Sequence, residues 1–205
     1  MADIRKLLAD VPQPTVFDVG ANVGQSAKRV SELLPGCQLH MFEPSPTAFT
    51  QLQVNTRKIG NLHLCNAGVG AELGTQLLIE NYYSDMSSFL RPSSAGWGKV
   101  IRETSVPVVT LDDYCTRERV NRVDLLKIDT QGSELEVLKG ATSLLAHQNI
   151  RLAYLEIIFS ELYEELPRFE ELYEFLARHG LRLVAFYNFV VQDGVASWCD
   201  ALFRI

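Results

Sequence analysis

The stretch VFDVGANVG, residues 16–24, joins a short apolar run to the pattern D-x-G-x-N-x-G, and a helix-like segment follows it. Gly20 and Gly24 remove side chains where the chain must bend and where a ligand would approach the backbone. Asn22, with Gln25 three residues later, is predicted to cap the next helix, whose free N–H groups then face the same point. The stretch therefore predicts a strand, turn and helix built to receive a ligand.

A second apolar run, residues 38–42, ends in Glu43. An acid at this place in α/β nucleotide-binding folds accepts hydrogen bonds from ribose hydroxyls. The glycine spacing matches neither the G-x-G-x-x-G of dinucleotide sites nor the G-x-x-x-x-G-K-[ST] of P-loops. The two stretches together predict a ribose-bearing ligand. A tight turn followed by a solvated acid is the structural alternative.

Composition narrows the class of protein. The chain has 205 residues and a formal net charge of −6, with no block rich in Lys or Arg, which argues against a nucleic-acid partner. Its four cysteines lie far apart without a C-x-x-C pair, which indicates reduced thiols and neither a zinc site nor a disulfide framework. No apolar run is long enough to predict a membrane partner. We expect a cytoplasmic protein and leave its oligomeric state open.

Strand-like and helix-like segments alternate along the chain, which is typical of a parallel sheet covered on both faces. The last two of the seven predicted strands are separated by a short connection, which predicts a hairpin at the sheet edge with the final strand antiparallel. The expected fold is one doubly wound α/β domain over residues 1–205, with an N-terminal helix in residues 1–14. The seven strands are predicted at residues 15–19, 38–42, 62–66, 123–129, 151–157, 181–187 and 197–204.

Two predicted helix starts indicate where two acidic residues lie relative to the strands. Ser45 before Pro46 is a typical N-cap followed by a first-turn proline. Ser133 and Glu136 form the S-x-x-E pattern of a capping box. Because both helices begin directly after strands, Glu43 and Asp129 are predicted at the carboxyl ends of strands.

Residues 74–110 interrupt the alternation. The runs TQLLIE and SVPVVT predict two short strands, and the segment between them is rich in turn residues. Aromatic residues in an irregular segment suggest a lid over a substrate, although they could equally hold a surface loop in place. The candidate substrate-binding residues of this segment are Tyr82, Tyr83 and Trp97.

Five sequence blocks, in this order and spacing, resemble the FkbM family of methyltransferases. The blocks are FDVGANVGQSA, FEPSP, NAGVG, VPVVTLDDY and LLKIDTQGSELEVLKGA. The resemblance covers nearly the whole chain from Thr15 and implies a seven-stranded Rossmann-like methyltransferase sheet. It also implies S-adenosylmethionine as cofactor and a small-molecule acceptor, a hydroxyl of a sugar or of a polyketide-type natural product.

The resemblance also implies which residues bind the cofactor. Asp18 is the least certain of them, because it could instead hold the loop by accepting hydrogen bonds from backbone N–H groups. The implied contacts are Gly20, Asn22 and Gly24 at the methionine end, Glu43 at the ribose, Asn66 and Ala67 at the adenine, and Asp129 near the sulfonium.

Methyl transfer to an alcohol requires alignment of the reactants and removal of the hydroxyl proton. The four histidines fall within strands or late in helices, where packing roles are expected, so carboxylates are the better candidates. Asp129 is the first candidate base and Glu156 the second, whereas Glu134 resembles a routine first-turn helix stabiliser. Lys127 shares a strand face with Asp129, and we expect it to pair with an acid there.

One position departs from the family pattern. Members of the family often read D-x-E-G where this chain has Asp129, Thr130, Gln131 and Gly132. An amide cannot act as an anionic metal ligand or accept a proton, so we expect Gln131 to contact the acceptor and predict no metal. The alternatives are a methyltransferase acting on nitrogen or on a protein, and a binding module that holds the cofactor without turnover.

Overall fold

A computed structural model of the protein describes residues 2–205. Its strands are β1 (Thr15–Val19), β2 (Gln38–Phe42), β3 (Leu62–Cys65), β4 (Gly68–Val69), β5 (Gly74–Asn81), β6 (Val100–Val109), β7 (Val123–Ile128), β8 (Ile150–Ile158), β9 (Arg182–Gln192) and β10 (Val195–Arg204). Seven of them form one sheet in the order β3-β2-β1-β7-β8-β10-β9. Strands β1, β2, β3, β7 and β8 pair in parallel, whereas β10 pairs antiparallel with both β8 and β9. The predicted seven-stranded sheet with an antiparallel last strand is confirmed.

Helices cover both faces of this sheet. They are α1 (Ala2–Leu7), α2 (Gln25–Leu33), α3 (Pro46–Thr56), α4 (Leu111–Glu118), α5 (Glu134–Lys139), α6 (Thr142–Ala146) and α7 (Phe169–Arg178). Successive residues of a strand point to opposite faces, so Val16 packs in the core beneath α1–α3 while Phe17 packs in the core beneath α4–α7. Within residues 2–205, no helix has the length and apolar character needed to cross a membrane.

The N-terminal helix is shorter than predicted. It ends at Leu7, and the rest of the predicted segment, up to residue 14, is turn and extended chain. Pro12 and Pro14 disfavour helical geometry at Val11 and Gln13, so a helix could not extend over the whole predicted segment. Met1 lies outside the described residues.

The helix start at Ser45 is confirmed. Its side chain accepts a hydrogen bond from the backbone N–H of Ala48 at 3.3 Å, and Pro46 opens α3. The predicted cap at Asn22 is wrong. Helix α2 begins after Gly24, which has φ 89° and makes no side-chain cap. A Cβ at Gly24 would lie 2.9 Å from the side chain of Leu52, so glycine is required where α2 approaches α3.

The predicted capping box at Ser133 and Glu136 is also wrong. Ser133 makes no capping hydrogen bond. Glu134 instead turns back and accepts hydrogen bonds from the backbone N–H groups of Thr130 at 2.8 Å and Gly132 at 3.0 Å. Glu134, which directly follows Ser133, therefore holds the loop between β7 and α5.

The segment 74–110 forms a second sheet. Strands β5 and β6 pair antiparallel and β4 pairs parallel with β6, so the two predicted strands are confirmed and are longer than the sequence suggested. We call residues 82–99, which join β5 to β6, the hairpin loop. Its Met86 and Leu90 pack against the cluster of Ile158, Leu162 and Tyr163 at the end of the main sheet. The hairpin loop therefore lies beside the carboxyl ends of the strands.

Candidate active site

Two adjoining cavities lie at the carboxyl ends of the parallel strands. The first, of about 280 Å³, is bordered by the loops after β1, β2, β3 and β7. The second, of about 820 Å³, lies between the hairpin loop, the end of β8 and β10. Asp85, Asp129 and Gln131 border both cavities. Because chain connections leave β1 and β7 in opposite directions, the first cavity occupies the crevice where α/β folds bind ligands.

Gly20 brings the loops after β1 and β7 together. Its φ is 82°, and a Cβ there would overlap the backbone carbonyl of Asp129. Only a residue without a side chain allows this approach. The glycine predicted from the sequence therefore shapes the floor of the first cavity.

Glu43 lies buried at the edge of the same cavity. Its two carboxylate oxygens accept hydrogen bonds from the backbone N–H groups of Asn22 at 2.7 Å and Ser45 at 2.8 Å. Burial raises the pKa of Glu43 to about 7, with smaller contributions from the charges of Asp18 and Glu80, although the two backbone hydrogen bonds oppose the rise. Each oxygen keeps a lone pair with which to accept a further hydrogen bond from a ligand hydroxyl.

The side-chain amide of Asn22 is buried and borders the first cavity. Neither its Oδ1 nor its Nδ2 has a hydrogen-bond partner within residues 2–205. A buried polar group without a partner costs roughly 1–3 kcal/mol. Such an amide beside a cavity indicates that a polar ligand supplies the missing partners.

The other residues predicted to contact the cofactor differ in position. Ala67 borders the first cavity, whereas Gly24, Asn66 and Asp18 lie behind its walls. The Asn66 amide donates to the backbone carbonyl of Glu43 at 2.8 Å and so joins the loops after β2 and β3. These three residues support the cavity from outside.

Asp18 is fully buried, and its hydrogen-bond donors are side chains. It therefore does not hold the loop through backbone N–H groups, the alternative role that the sequence left open. It accepts hydrogen bonds from the Ser26 hydroxyl and from Lys127 Nζ, the latter at 3.0 Å. Lys127 Nζ also lies 3.4 Å from Asp129 Oδ2. Burial alone would lower the pKa of Lys127, but the charges of Asp18 and Asp129 outweigh it and raise the pKa. The prediction that Lys127 pairs with an acid is confirmed.

Gln131 joins the two candidate bases. Its Nε2 donates to Asp129 Oδ1 at 3.2 Å and to Glu156 Oε2 at 2.5 Å. Its Oε1 accepts a hydrogen bond from the hydroxyl of Tyr163 at 2.9 Å, and its backbone carbonyl accepts one from Ser88 at 2.7 Å. The residue has φ 56°, so the chain adopts left-handed geometry to present this amide. The amide holds both carboxylates at the boundary between the cavities.

The carboxyl group of Glu156 favours its protonated form. Burial is the largest cause of its raised pKa, and the charges of Asp129, Glu134 and Asp200 add to it. Asp129 has the cation of Lys127 beside it and a side chain that is 40% exposed. The raised pKa of Glu156 therefore favours the neutral form of this carboxyl group beside Asp129.

Aromatic residues form one side of the second cavity. Tyr83 and Trp97 border it as predicted, whereas Tyr82 does not and is 73% exposed. Trp198 of β10 also borders it and packs edge-on against Trp97, with ring centroids 5.2 Å apart. Sequence reasoning missed Trp198 and Tyr163, because neither belongs to a motif near the cofactor loops.

His40 is buried and has the packing role that was predicted, whereas His63 and His147 are exposed. His40 Nδ1 lies 2.9 Å from the Tyr114 hydroxyl, its ring stacks on His63 at 4.3 Å between centroids, and burial lowers its pKa to about 4. His147 and His179 each contact a backbone carbonyl four residues earlier in the chain. Across residues 2–205, no group of three or more His, Cys, Asp or Glu side chains is arranged to hold a metal ion.

Comparison with solved structures agrees with this architecture. The S-adenosylmethionine-bound crystal structure of magnesium protoporphyrin IX methyltransferase (ChlM) from Synechocystis PCC 6803 aligns with a TM-score of 0.56 at 12% identity, covering 99% of this chain and 76% of that chain. A fibrillarin from Aeropyrum pernix, also with bound S-adenosylmethionine, aligns with a TM-score of 0.53 at 15% identity, covering 93% of this chain and 66% of that chain. At such identities the likeness shows the fold.

Sequence comparison identifies the family. The family described as "Methyltransferase FkbM domain" matches residues 18–183. The 2-O-methyltransferase NoeI of Sinorhizobium fredii is 30% identical over 175 residues, covering 78% of this chain and 70% of that protein. The 31-O-demethyl-FK506 methyltransferase FkbM of Streptomyces tacrolimicus is 27% identical over 205 aligned residues, covering 85% and 75%. The hexuronic acid methyltransferase AglP of Haloferax volcanii is 31% identical over 159 residues, covering 75% and 60%. The chain therefore belongs to the FkbM family of S-adenosylmethionine-dependent methyltransferases.

Proposed function

We propose that the protein is an O-methyltransferase that methylates a hydroxyl of a sugar or polyketide-type natural product. The observation that carries this proposal is the pair of carboxyl groups, Asp129 and Glu156, at the boundary between the two cavities. An alcohol needs a proton acceptor at the point of transfer. The names of the relatives NoeI and FkbM specify methylation at oxygen, which supports the same acceptor atom.

The first cavity fits the cofactor. Glu43 would accept hydrogen bonds from the ribose hydroxyls, the free amide of Asn22 would pair with a polar group, and Gly20, Ala67 and Asp129 complete the walls. S-adenosylmethionine, when bound, supplies a methyl group on a positively charged sulfur. Asp18, Gly24 and Asn66 would keep these walls in place.

Asp129 is the proposed base. With S-adenosylmethionine held in the first cavity as methyl donor, Asp129 would accept the proton that the acceptor hydroxyl loses on methylation. Lys127 Nζ lies 3.4 Å from Asp129 Oδ2 and places a positive charge beside the proposed base. Glu156 and Gln131, which share a hydrogen bond at the boundary between the cavities, would orient the acceptor hydroxyl. A positioned base contributes about 10²–10⁴ in rate, and alignment adds several kcal/mol.

The second cavity is the proposed acceptor site. Its volume of about 820 Å³ is within the range of roughly 300–1,000 Å³ found for small-molecule pockets. A cavity too narrow for a glycoside would have favoured a methyltransferase acting on nitrogen or on a protein. All four cysteines are free, which agrees with the reducing cytoplasm that we propose as the compartment.

The base assignment is tested with Asp129→Asn, which preserves shape but cannot accept a proton. We expect turnover, measured as S-adenosylhomocysteine release, to fall by about 10² or more while the fold and cofactor affinity persist. Glu156→Gln is the matched variant. If it is inactive while Asp129→Asn keeps most of its rate, the two roles are exchanged. If both variants remain active, catalysis is by alignment and neither carboxyl group is the base.

A further inference from the structure

The charged side chains that line the second cavity are all acidic. Among the described residues, its acidic lining side chains are the carboxyl groups of Asp85, Asp129 and Glu156, and neither lysine, arginine nor histidine lines it. Lys127 borders the first cavity, and its single positive charge faces both Asp18 and Asp129. The local charge therefore remains negative even when Glu156 is protonated.

The nearest cations along the chain lie outside this cavity. Arg91 of the hairpin loop pairs with Glu103 at 3.0 Å, and Arg102 of β6 pairs with Glu80 at 2.8 Å. Lys99 follows the lining residue Gly98 but is not itself part of the wall. An anionic group that entered the cavity would therefore meet no cationic side chain in its wall to replace its lost water.

An anionic acceptor would lose free energy in two ways. Its carboxylate, sulfate or phosphate would give up hydration without gaining an ion pair. It would also lie close to Asp129, and like charges at short range raise the cost further. The hydrophobic and aromatic part of the wall, by contrast, is complementary to an uncharged ring. Its residues include Trp97, Trp198 and Ile158.

We infer that the enzyme selects an acceptor that is uncharged around the methylated hydroxyl and rejects acceptors with an anionic group there. This inference rests on the proposed function, since it takes the second cavity as the acceptor site. It also separates this chain from its relative AglP, which is named for hexuronic acid methylation. A neutral pyranoside is the kind of acceptor that this cavity favours.

The charge of the cavity can be measured without an acceptor. The chain has two tryptophans, Trp97 and Trp198, and both line this cavity, so intrinsic fluorescence reports on it directly. Quenching by iodide, caesium and acrylamide is compared at constant ionic strength, each relative to free N-acetyltryptophanamide. We expect iodide to quench at least about twofold less efficiently than acrylamide, and caesium to quench more efficiently than iodide.

A matched pair of variants separates the cavity from the overall charge. Asp85→Asn should raise iodide quenching, whereas Glu32→Gln, which makes the same change in net charge on the exposed face of α2, should leave it unchanged. Equal relative quenching by iodide and acrylamide in the native protein would overturn the inference. So would an equal response of the two variants.

Turnover provides the second test. Methyl pyranosides and the corresponding methyl glycosiduronates, which differ by one carboxylate, are compared as acceptors. We expect kcat/KM for the neutral compounds to be higher by about tenfold or more, which corresponds to about 1.4 kcal/mol. A uronate that reacts as well as its neutral partner overturns the inference. If no pyranoside reacts but iodide is excluded as expected, the sugar acceptor of the proposed function fails while the charge selection stands.

Discussion

Glu43 shows how the surroundings of one side chain set its chemistry. The sequence places an acid after the second strand, and the fold buries it with two backbone N–H groups directed at its oxygens. The hydrogen bonds favour the carboxylate while burial favours the acid, and burial is the larger effect, so the pKa rises to about 7. The strength with which Glu43 accepts hydrogen bonds therefore changes near neutral pH.

We predict that S-adenosylhomocysteine binds more tightly as pH rises through 7. In the proposed site the ionised Glu43 would accept charge-assisted hydrogen bonds from ribose hydroxyls, and below its pKa of about 7 the protonated form would predominate and weaken them. Between pH 6 and pH 8 the affinity measured by calorimetry should increase roughly tenfold.

The control for this prediction is Glu43→Ala. Removing the carboxyl group should weaken binding by about 10- to 150-fold, the equivalent of roughly 1.5–3 kcal/mol, and should abolish the pH dependence between pH 6 and pH 8. Unchanged affinity in this variant would show that Glu43 does not contact the ribose. A retained pH dependence would assign the titration to another group.

The hairpin loop is the element that shapes the second cavity, the proposed acceptor site. Its backbone bonds to the loop after β8, through Ser93 N–H to Leu162 carbonyl at 3.0 Å and Glu164 N–H to Arg91 carbonyl at 2.8 Å. Ser88 joins it to the carbonyl of Gln131. These bonds make the loop a wall of the second cavity, docked on the main sheet.

Within this loop we predict different effects for neighbouring aromatic residues. Tyr83→Ala and Trp97→Ala should weaken acceptor binding, raising KM for the acceptor by roughly threefold to tenfold, because each removes a side chain from the cavity wall. Affinity for S-adenosylhomocysteine should hardly change.

Tyr82→Ala is the matched control, since Tyr82 is exposed and contacts the ring of Tyr83 from outside the cavity. Its acceptor KM should remain close to the native value. Loss of cofactor affinity in the Tyr83 and Trp97 variants, with acceptor KM unchanged, would move this wall from the acceptor site to the cofactor site.

At the scale of the whole molecule, acidic groups converge on one edge of the sheet. The carboxyl ends of β1, β2, β7 and β8 bring together Asp18, Glu43, Asp129 and Glu156. Burial raises the pKa values of both Glu43 and Glu156. A carboxyl group whose pKa is higher in the folded protein stabilises it while protonated, and this contribution is lost as pH rises toward the folded-state pKa. The site therefore costs stability at neutral and alkaline pH.

We therefore predict that Glu156→Gln stabilises the protein at pH 8. The amide removes a charge that the folded state disfavours, and a gain of about 1 kcal/mol would raise Tm by roughly 2–4 °C for a chain of this size. The gain should be smaller at pH 5, where the folded protein keeps Glu156 protonated. Thermal unfolding followed by circular dichroism at both pH values measures it.

Glu32→Gln, on an exposed part of α2, serves as the reference for a change of one charge. It should leave Tm within about 1 °C at either pH, because an exposed ion pair contributes little. Equal Tm shifts in the two variants at pH 8 would attribute the effect to net charge and not to the buried position of Glu156.

The sequence by itself determined the main sheet, the loop after β1 and the acids at the strand ends. Apolar runs of strand length, separated by helix signals, specify a parallel sheet, and in such a sheet all carboxyl ends lie at one edge. Glu43, Asp129 and Glu156 could therefore be assigned to one site before any contact was known. Lys127 followed from the alternation of side chains along its strand.

Only the tertiary structure decided how these groups interact. Trp198 and Tyr163 reach the site from β10 and from the loop after β8, so their place depends on strand order and loop path, which no local pattern encodes. Gln131 joins Asp129 to Glu156 because its backbone adopts left-handed geometry. Asn22 and Ser133 do not cap the helices as expected, because the tertiary structure also decides which hydrogen bonds such side chains make. Short polar side chains favour several local hydrogen bonds about equally, and packing of the surrounding loops selects among them.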